Sequence, residues 1–138
     1  MADIATIRAL VVAAIRTLSG WTQSRFAPEL FGRDTDSLLH HSFAVGVPTT
    51  EVRDGRQGLS EGALVYSTIE VQWAHRLRAD AQNGDYDAAT DAEQDLVKKV
   101  VAISTKHVLV KRLTRRATVD GWVLGTATFE VGHRFTLQ

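Results

Sequence analysis

The stretch from Ala63 to Arg78, ALVYSTIEVQWAHRLR, constrains the fold more than any other part of the chain. Val65, Ile69, Val71, Trp73 and Leu77 are apolar and share one parity. Tyr66, Thr68, Glu70, Gln72, Arg76 and Arg78 alternate with them and are largely polar. Such period-two alternation, rich in β-branched and aromatic side chains, predicts a strand with one face in a core and the other in water or against a partner. At about 3.3 Å per residue the strand runs roughly 50 Å, well beyond the usual length of about five or six residues. In a small domain it overhangs its own core, which points to a subunit made to be joined to others.

A chain of 138 residues accommodates one domain with a single core and needs neither metal nor disulfide to hold it. The absence of cysteine excludes disulfide frameworks, thiolate zinc sites and cysteine nucleophiles. Lysines and arginines (16) balance aspartates and glutamates (16), so bulk attraction to nucleic acid or an anionic membrane has no support. The charge is nevertheless segregated. Between Ala79 and Asp95 every charged residue is an acid, and between Lys98 and Arg116 every one is a base.

Before the long strand, Ile4, Ile7, Leu10, Val11, Ala14, Ile15 and Leu18 fall on one arc of a helix that Gly20 closes. Its polar side carries too few cations for a membrane-surface helix, so it is expected to pack on the domain's own sheet. Residues Trp21 to Asp36 lack any period and read as an ordered loop anchored by Trp21, Phe26 and Phe31. A strand is expected over about Leu39 to Val47. On that reading His40 and His41 point to opposite faces and cannot share an ion, and the other histidines show no ligand spacing, so no metal is expected. Pro48 to Gly62 then forms a long loop carrying Glu51, Arg53, Asp54, Arg56 and Glu61. It is read either as a flexible tip or as an arm that orders against a neighbour.

A second helix is expected from about Tyr86 to Ile103, with Asp85 as N-cap. Tyr86, Ala89, Leu96, Val97, Val100 and Ile103 share its apolar arc, and Asp87, Asp91 and Asp95 form a stripe on the opposite side. Glu93 falls inside the apolar arc. A buried carboxylate needs a partner, so Glu93 is expected to sit at the helix–sheet boundary paired with an arginine of the long strand or with Arg115 or Arg116. The last third reads as a hairpin, His107 to Val119 and Trp122 to Leu137, turning at Asp120-Gly121. The expected fold is therefore a single α/β (α+β) domain of order α-β-β-α-β-β. It has a mostly antiparallel or mixed sheet with two helices on one face and the last strand inserted between the second and third.

The segments SFAVGVPTT (42–50), VQWAHRLRADAQNGDYDAATDAEQDLV (71–97), LTRR (113–116) and WVLGTATFEVGHRF (122–135) together resemble the tail-terminator proteins of tailed bacteriophages and of phage-like particles. The resemblance covers most of the chain and is weakest in the glycine-rich loop. It implies a small α/β subunit that forms a six-membered ring on the completed tail tube, stops tube growth and offers a surface to head-completion (connector) proteins. DNA then passes through the ring without specific binding. The family has no active site, so the resemblance implies no catalytic residue, cofactor or metal. Its setting would be the tail–neck junction of a virion, reached from the host cytoplasm.

Two other classes compete with that reading. A small α+β enzyme or ligand-binding domain needs convergent polar groups around a pocket, and no such cluster shows in the sequence. A nucleic-acid module could use Lys106, Lys111, Arg112, Arg115 and Arg116, but that run lacks the interleaved aromatics of a stacking platform. In a ring, two different patches of one subunit meet. Asp87, Asp91 and Asp95 on the helix, and some of Lys111, Arg112, Arg115 and Arg116 on the strand, are the candidate pair. The alternative is that both patches are solvated or neutralise each other within a subunit.

Overall fold

A computed structural model describes residues 4–24, 39–52, 63–103 and 108–135. Their order is helix α1 (Ile4–Arg16), strands β1 (Thr22–Gln23), β2 (Ser42–Val52) and β3 (Ala63–Arg76), helix α2 (Gln82–Val101), and strands β4 (Val108–Ala117) and β5 (Trp122–Phe135). The strands form one mixed sheet in the order β1-β2-β3-β5-β4. Among the described strands, β1–β2 pair parallel and the others antiparallel. The last strand does lie between β3 and β4, and the two-residue β1 is an addition to the expected order. Both helices pack on one face, giving a single α+β domain.

Strand β3 is central because its alternation supplies both layers. Its apolar set, with Ile69, Val71 and Trp73 fully buried, meets Phe43 and Val45 of β2 and Ala127, Phe129 and Val131 of β5. Each large apolar side chain buried in this way contributes about 1.5–3 kcal/mol before entropy is subtracted. Strands β3 and β5 stay in register without a break from Ala63↔Phe135 to Arg76↔Trp122. Gly125 is required inside that ladder, because a Cβ there would overlap the indole of Trp73.

Helix α1 buries Ile7, Val11, Val12 and Ile15 in this core, while Leu10 stays on the rim. The stripe is thus rotated slightly from the predicted arc, towards Val12. Arg8 Nε donates to Val45 O at 2.8 Å and ties the helix to β2. At the C-terminal end Thr17 Oγ1 donates to Ala14 O, and Gly20 takes a φ of 85° that reverses the chain.

Three boundaries differ from expectation. Strand β2 runs on to Val52, five residues past the predicted end, and its register with β3 shifts between Gly46 and Thr49. That irregularity is where a strand tolerates Pro48, which has no amide hydrogen to donate. Helix α2 starts at Gln82, with Ala81 at the N-cap and no side-chain cap. Asp85 therefore lies in the first turn rather than at the cap. Residues 39–41 form a turn rather than strand, with Leu39 O accepting from Ser42 N and His41 at a φ of 57°. Positive φ at the third position of such a turn usually calls for glycine. Phe26 and Phe31, and residues 53–62 of the predicted loop, lie outside the described residues.

Candidate functional site

Four of the residues singled out in the glycine-rich loop, Arg53, Asp54, Arg56 and Glu61, also lie outside the described residues. Glu51 does not belong to a loop. It is an exposed residue of β2, opposite Tyr66 of β3. Asp87, Asp91 and Asp95 are exposed on the outer side of α2, away from the buried Ala89, Glu93, Leu96 and Val100.

The basic set lies on β4, which is the edge strand and pairs only with β5 among the described strands. Its register shifts between Val110 and Arg112, so Lys111 is the extra residue of the irregularity. On either side of it the set divides between two faces. Arg115 pairs across with Gly125 on the helix-covered face, whereas Arg112 and Arg116 pair with Thr128 and Leu124 on the other. That second face continues through Thr126, Glu130, Glu70 and Gln72 and is largely polar. Leu109 and Val110, large apolar residues, are 55% and 42% exposed on the same edge strand. An edge with unpaired backbone groups and exposed apolar side chains is a template for another chain.

The faces decide what the charges do. Arg115 Nε donates to Glu93 Oε1 at 2.7 Å. The Glu93 side chain is 2% exposed and that of Arg115 31%, so the carboxylate is buried and the guanidinium reaches the surface. The hydrogen bond from Arg115 to Glu93 also holds the guanidinium above its ordinary pKa. Arg115 is thus engaged within its own chain. Among the described residues, no ion pair engages Asp87, Asp91, Asp95, Lys111, Arg112 or Arg116.

A second polar locus lies where β3 leaves the sheet. Asp85 accepts from the Arg78 backbone N–H at 2.7 Å, from Arg78 Nε at 3.0 Å and from the far guanidinium nitrogen at 3.0 Å. These bonds, the side-chain one first, hold its carboxyl down at about 2. Beside it, His40, His41 and His75 converge. Their nearest ligand-capable nitrogens all lie within 4.8 Å of one another. An open cleft of about 420 Å³ runs past His40, His75, Arg76, Arg78 and Asp85. Trp21 stacks on the His41 ring at 4.4 Å between centroids, and His40 stacks on its other side at 3.9 Å.

A strand over residues 40 and 41, as the sequence suggests, would send these two histidines to opposite faces; the chain makes a turn there instead. In a turn with positive φ they project together, and β3 delivers His75 to the same place. The signal available in the sequence was the position of His75, two residues beyond Trp73 and on the core-facing parity of β3. The remaining described histidine, His133, joins a polar chain at the opposite end that runs inward from exposed Thr50, Thr50 Oγ1 to Ser67 Oγ to His133 Nε2, each 2.7 Å. Ser67 and His133 are closed off from solvent, so this serine–histidine contact serves packing rather than nucleophilic chemistry.

No protein-family model matches the chain, and no curated protein sequence matches it. Among solved structures, it is similar to a chain of the virion of a native gene transfer agent particle. The likeness has a TM-score of 0.52 at 10% identity and covers 98% of this chain and 100% of the other. At that identity the likeness is one of fold, and it extends over both molecules end to end.

Proposed function

We propose that the protein is a structural subunit of a phage-like virion, acting as a tail terminator: a ring that caps the tail tube, halts its polymerisation and presents a surface to the head-completion protein. The observation that carries this reading is the end-to-end structural likeness to a gene-transfer-agent virion chain. The resemblance of residues 42–50, 71–97, 113–116 and 122–135 to tail-terminator proteins supports it separately.

The surfaces fit such an assembly. In a ring beyond a dimer the contact is head-to-tail, so two unlike patches must meet. The acids of α2 form one exposed patch, and the edge strand β4 with Lys111, Arg112 and Arg116 forms the other. Arg115 takes no part, being held by Glu93. Exposed Leu109 and Val110 supply apolar area, and the charges steer register more than they add affinity. DNA passes through the lumen without specific binding, and no catalytic step is involved.

The test is solution mass measured across concentration, with and without purified tail tube protein, followed by electron microscopy of the mixture. A six-membered ring, alone or closed only on tube ends, is the expected result. A monomer at all concentrations that leaves tube length unchanged would overturn the proposal.

A further inference from the structure

We propose that His40, His41 and His75 form a binding site for a divalent transition-metal ion of the zinc type. His41 and His75 are the principal ligands and His40 is the third. The site does not depend on the tail-terminator reading.

The donor set selects the class of ion. Imidazole nitrogen suits Zn²⁺, Ni²⁺, Co²⁺ and Cu²⁺, whereas Mg²⁺ and Ca²⁺ take oxygen ligands. Asp85, a carboxylate lining the same cleft, is already engaged by three donors of Arg78. Paired with Arg78, its charge is offset and it supplies no ligand, so the imidazoles carry the binding.

The geometry is nearly formed. His41 Nε2 and His75 Nδ1 lie 2.9 Å apart and share one proton in a hydrogen bond. When the donor ring shifts that proton to its other ring nitrogen, both facing nitrogens can offer their lone pairs to a cation. With bonds of about 2.0–2.1 Å, two ligand nitrogens lie about 2.9 Å apart at a right angle and about 3.4 Å apart in a tetrahedron. In distance the pair needs to open by no more than about half an ångström, and the rings must also turn so that both lone pairs meet at one centre. His40 Nδ1 accepts from the Arg76 backbone N–H at 3.0 Å, on the exposed side of the cluster. To ligate, His40 gives up that bond, so its contribution is smaller than those of the other two.

The surroundings hold the rings in place and uncharged. Trp21 fixes the plane of His41, and the His41 amide N–H donates to Ala74 O at 2.8 Å, linking the turn directly to β3. His41 keeps a positive φ that glycine would adopt more cheaply, a strain of the kind that accumulates at ligand sites. Burial and mutual repulsion push His41 down to about 4, and burial lowers His40 and His75 as well. Neutral imidazole is the form that binds metal. The open cleft leaves the remaining coordination positions accessible to water.

The experiment titrates the metal-stripped full chain with Zn²⁺, and separately with Co²⁺, at pH 7.5. Calorimetry gives stoichiometry, Co²⁺ absorption reports nitrogen coordination, and thermal melting gives the linked stabilisation. One ion per chain is expected, with a rise in Tm. Affinity should fall ~100-fold in His41→Gln and in His75→Gln, and ~10-fold in His40→Gln, the scale that loss of a ligand or its support usually brings. Circular dichroism of each variant without metal separates loss of ligand from loss of fold. If a variant does not fold, imidazole NMR resonances of the wild-type chain replace it. Selective shifts of these three rings on adding Zn²⁺ support the site. Absence of saturable binding to the wild-type chain, or equal affinity in folded His41→Gln and His75→Gln, overturns it.

Discussion

The Glu93–Arg115 pair makes an ordered prediction, because its two ends are buried so unequally. Arg115→Ala leaves a carboxylate that is 2% exposed with no counter-charge, and breaking a buried pair from this side costs about 3–5 kcal/mol. Glu93→Ala leaves a guanidinium whose side chain is already 31% exposed and can turn to water. That loss should be about 1–2 kcal/mol, a lost charge-assisted hydrogen bond plus some packing. Glu93→Leu keeps the volume and removes the buried charge, so it should fall within about 1 kcal/mol of wild type. Urea unfolding at pH 7, in low and high salt, measures all three. The order Arg115→Ala, then Glu93→Ala, then Glu93→Leu should persist in salt, since a buried charge is poorly screened. An Arg115→Ala variant no less stable than Glu93→Ala would mean that water reaches the carboxylate in solution, and the argument would fail.

Three further predictions rest on separate features. Gly125→Ala should destabilise by about 2 kcal/mol or more through overlap with Trp73, and adding Trp73→Phe should recover part of it; strictly additive effects in a denaturant cycle would refute the contact. Asp85 has its carboxyl lowered from 3.8 to about 2, so its contribution is complete above pH 4 and is lost as pH falls from about 4 towards 2. In acid titrations followed by circular dichroism, Asp85→Asn should flatten that limb, and an unchanged limb would show that Arg78 does not hold the carboxylate. Arg112→Glu with Arg116→Glu should block ring closure, and adding Asp87→Lys with Asp91→Lys should partly restore it; rings that still form at low salt in the doubly reversed strand would place the contact elsewhere.

What the sequence makes legible here follows from how local each signal is. The alternation of β3 is a property of the strand itself, and the helix-and-hairpin order follows from patterns of similar range. Glu93 stood out because a carboxylate on an apolar arc contradicts its neighbours, although no local pattern could say whether Arg115, Arg116 or an arginine of the long strand would meet it. The start of α2 is hidden in the sequence because Asp85 resembles a cap by composition, whereas its carboxylate turns to Arg78 at the exit of β3. Strand β1 is two residues long and is defined by its pairing with β2, so no periodicity could reveal it. The histidine cluster depended on one backbone angle at His41, and residue types alone do not report an angle that glycine would normally supply.

The unbroken ladder between β3 and β5 also has a mechanical meaning. Fourteen residues of each strand are paired in one continuous register, a ribbon of about 46 Å at the rise of an antiparallel strand. Tension along its length loads the cross-strand hydrogen bonds together in shear, so none fails alone. The ribbon then behaves as a stiff beam, with the His75 end and the Glu51 side of the sheet at opposite ends.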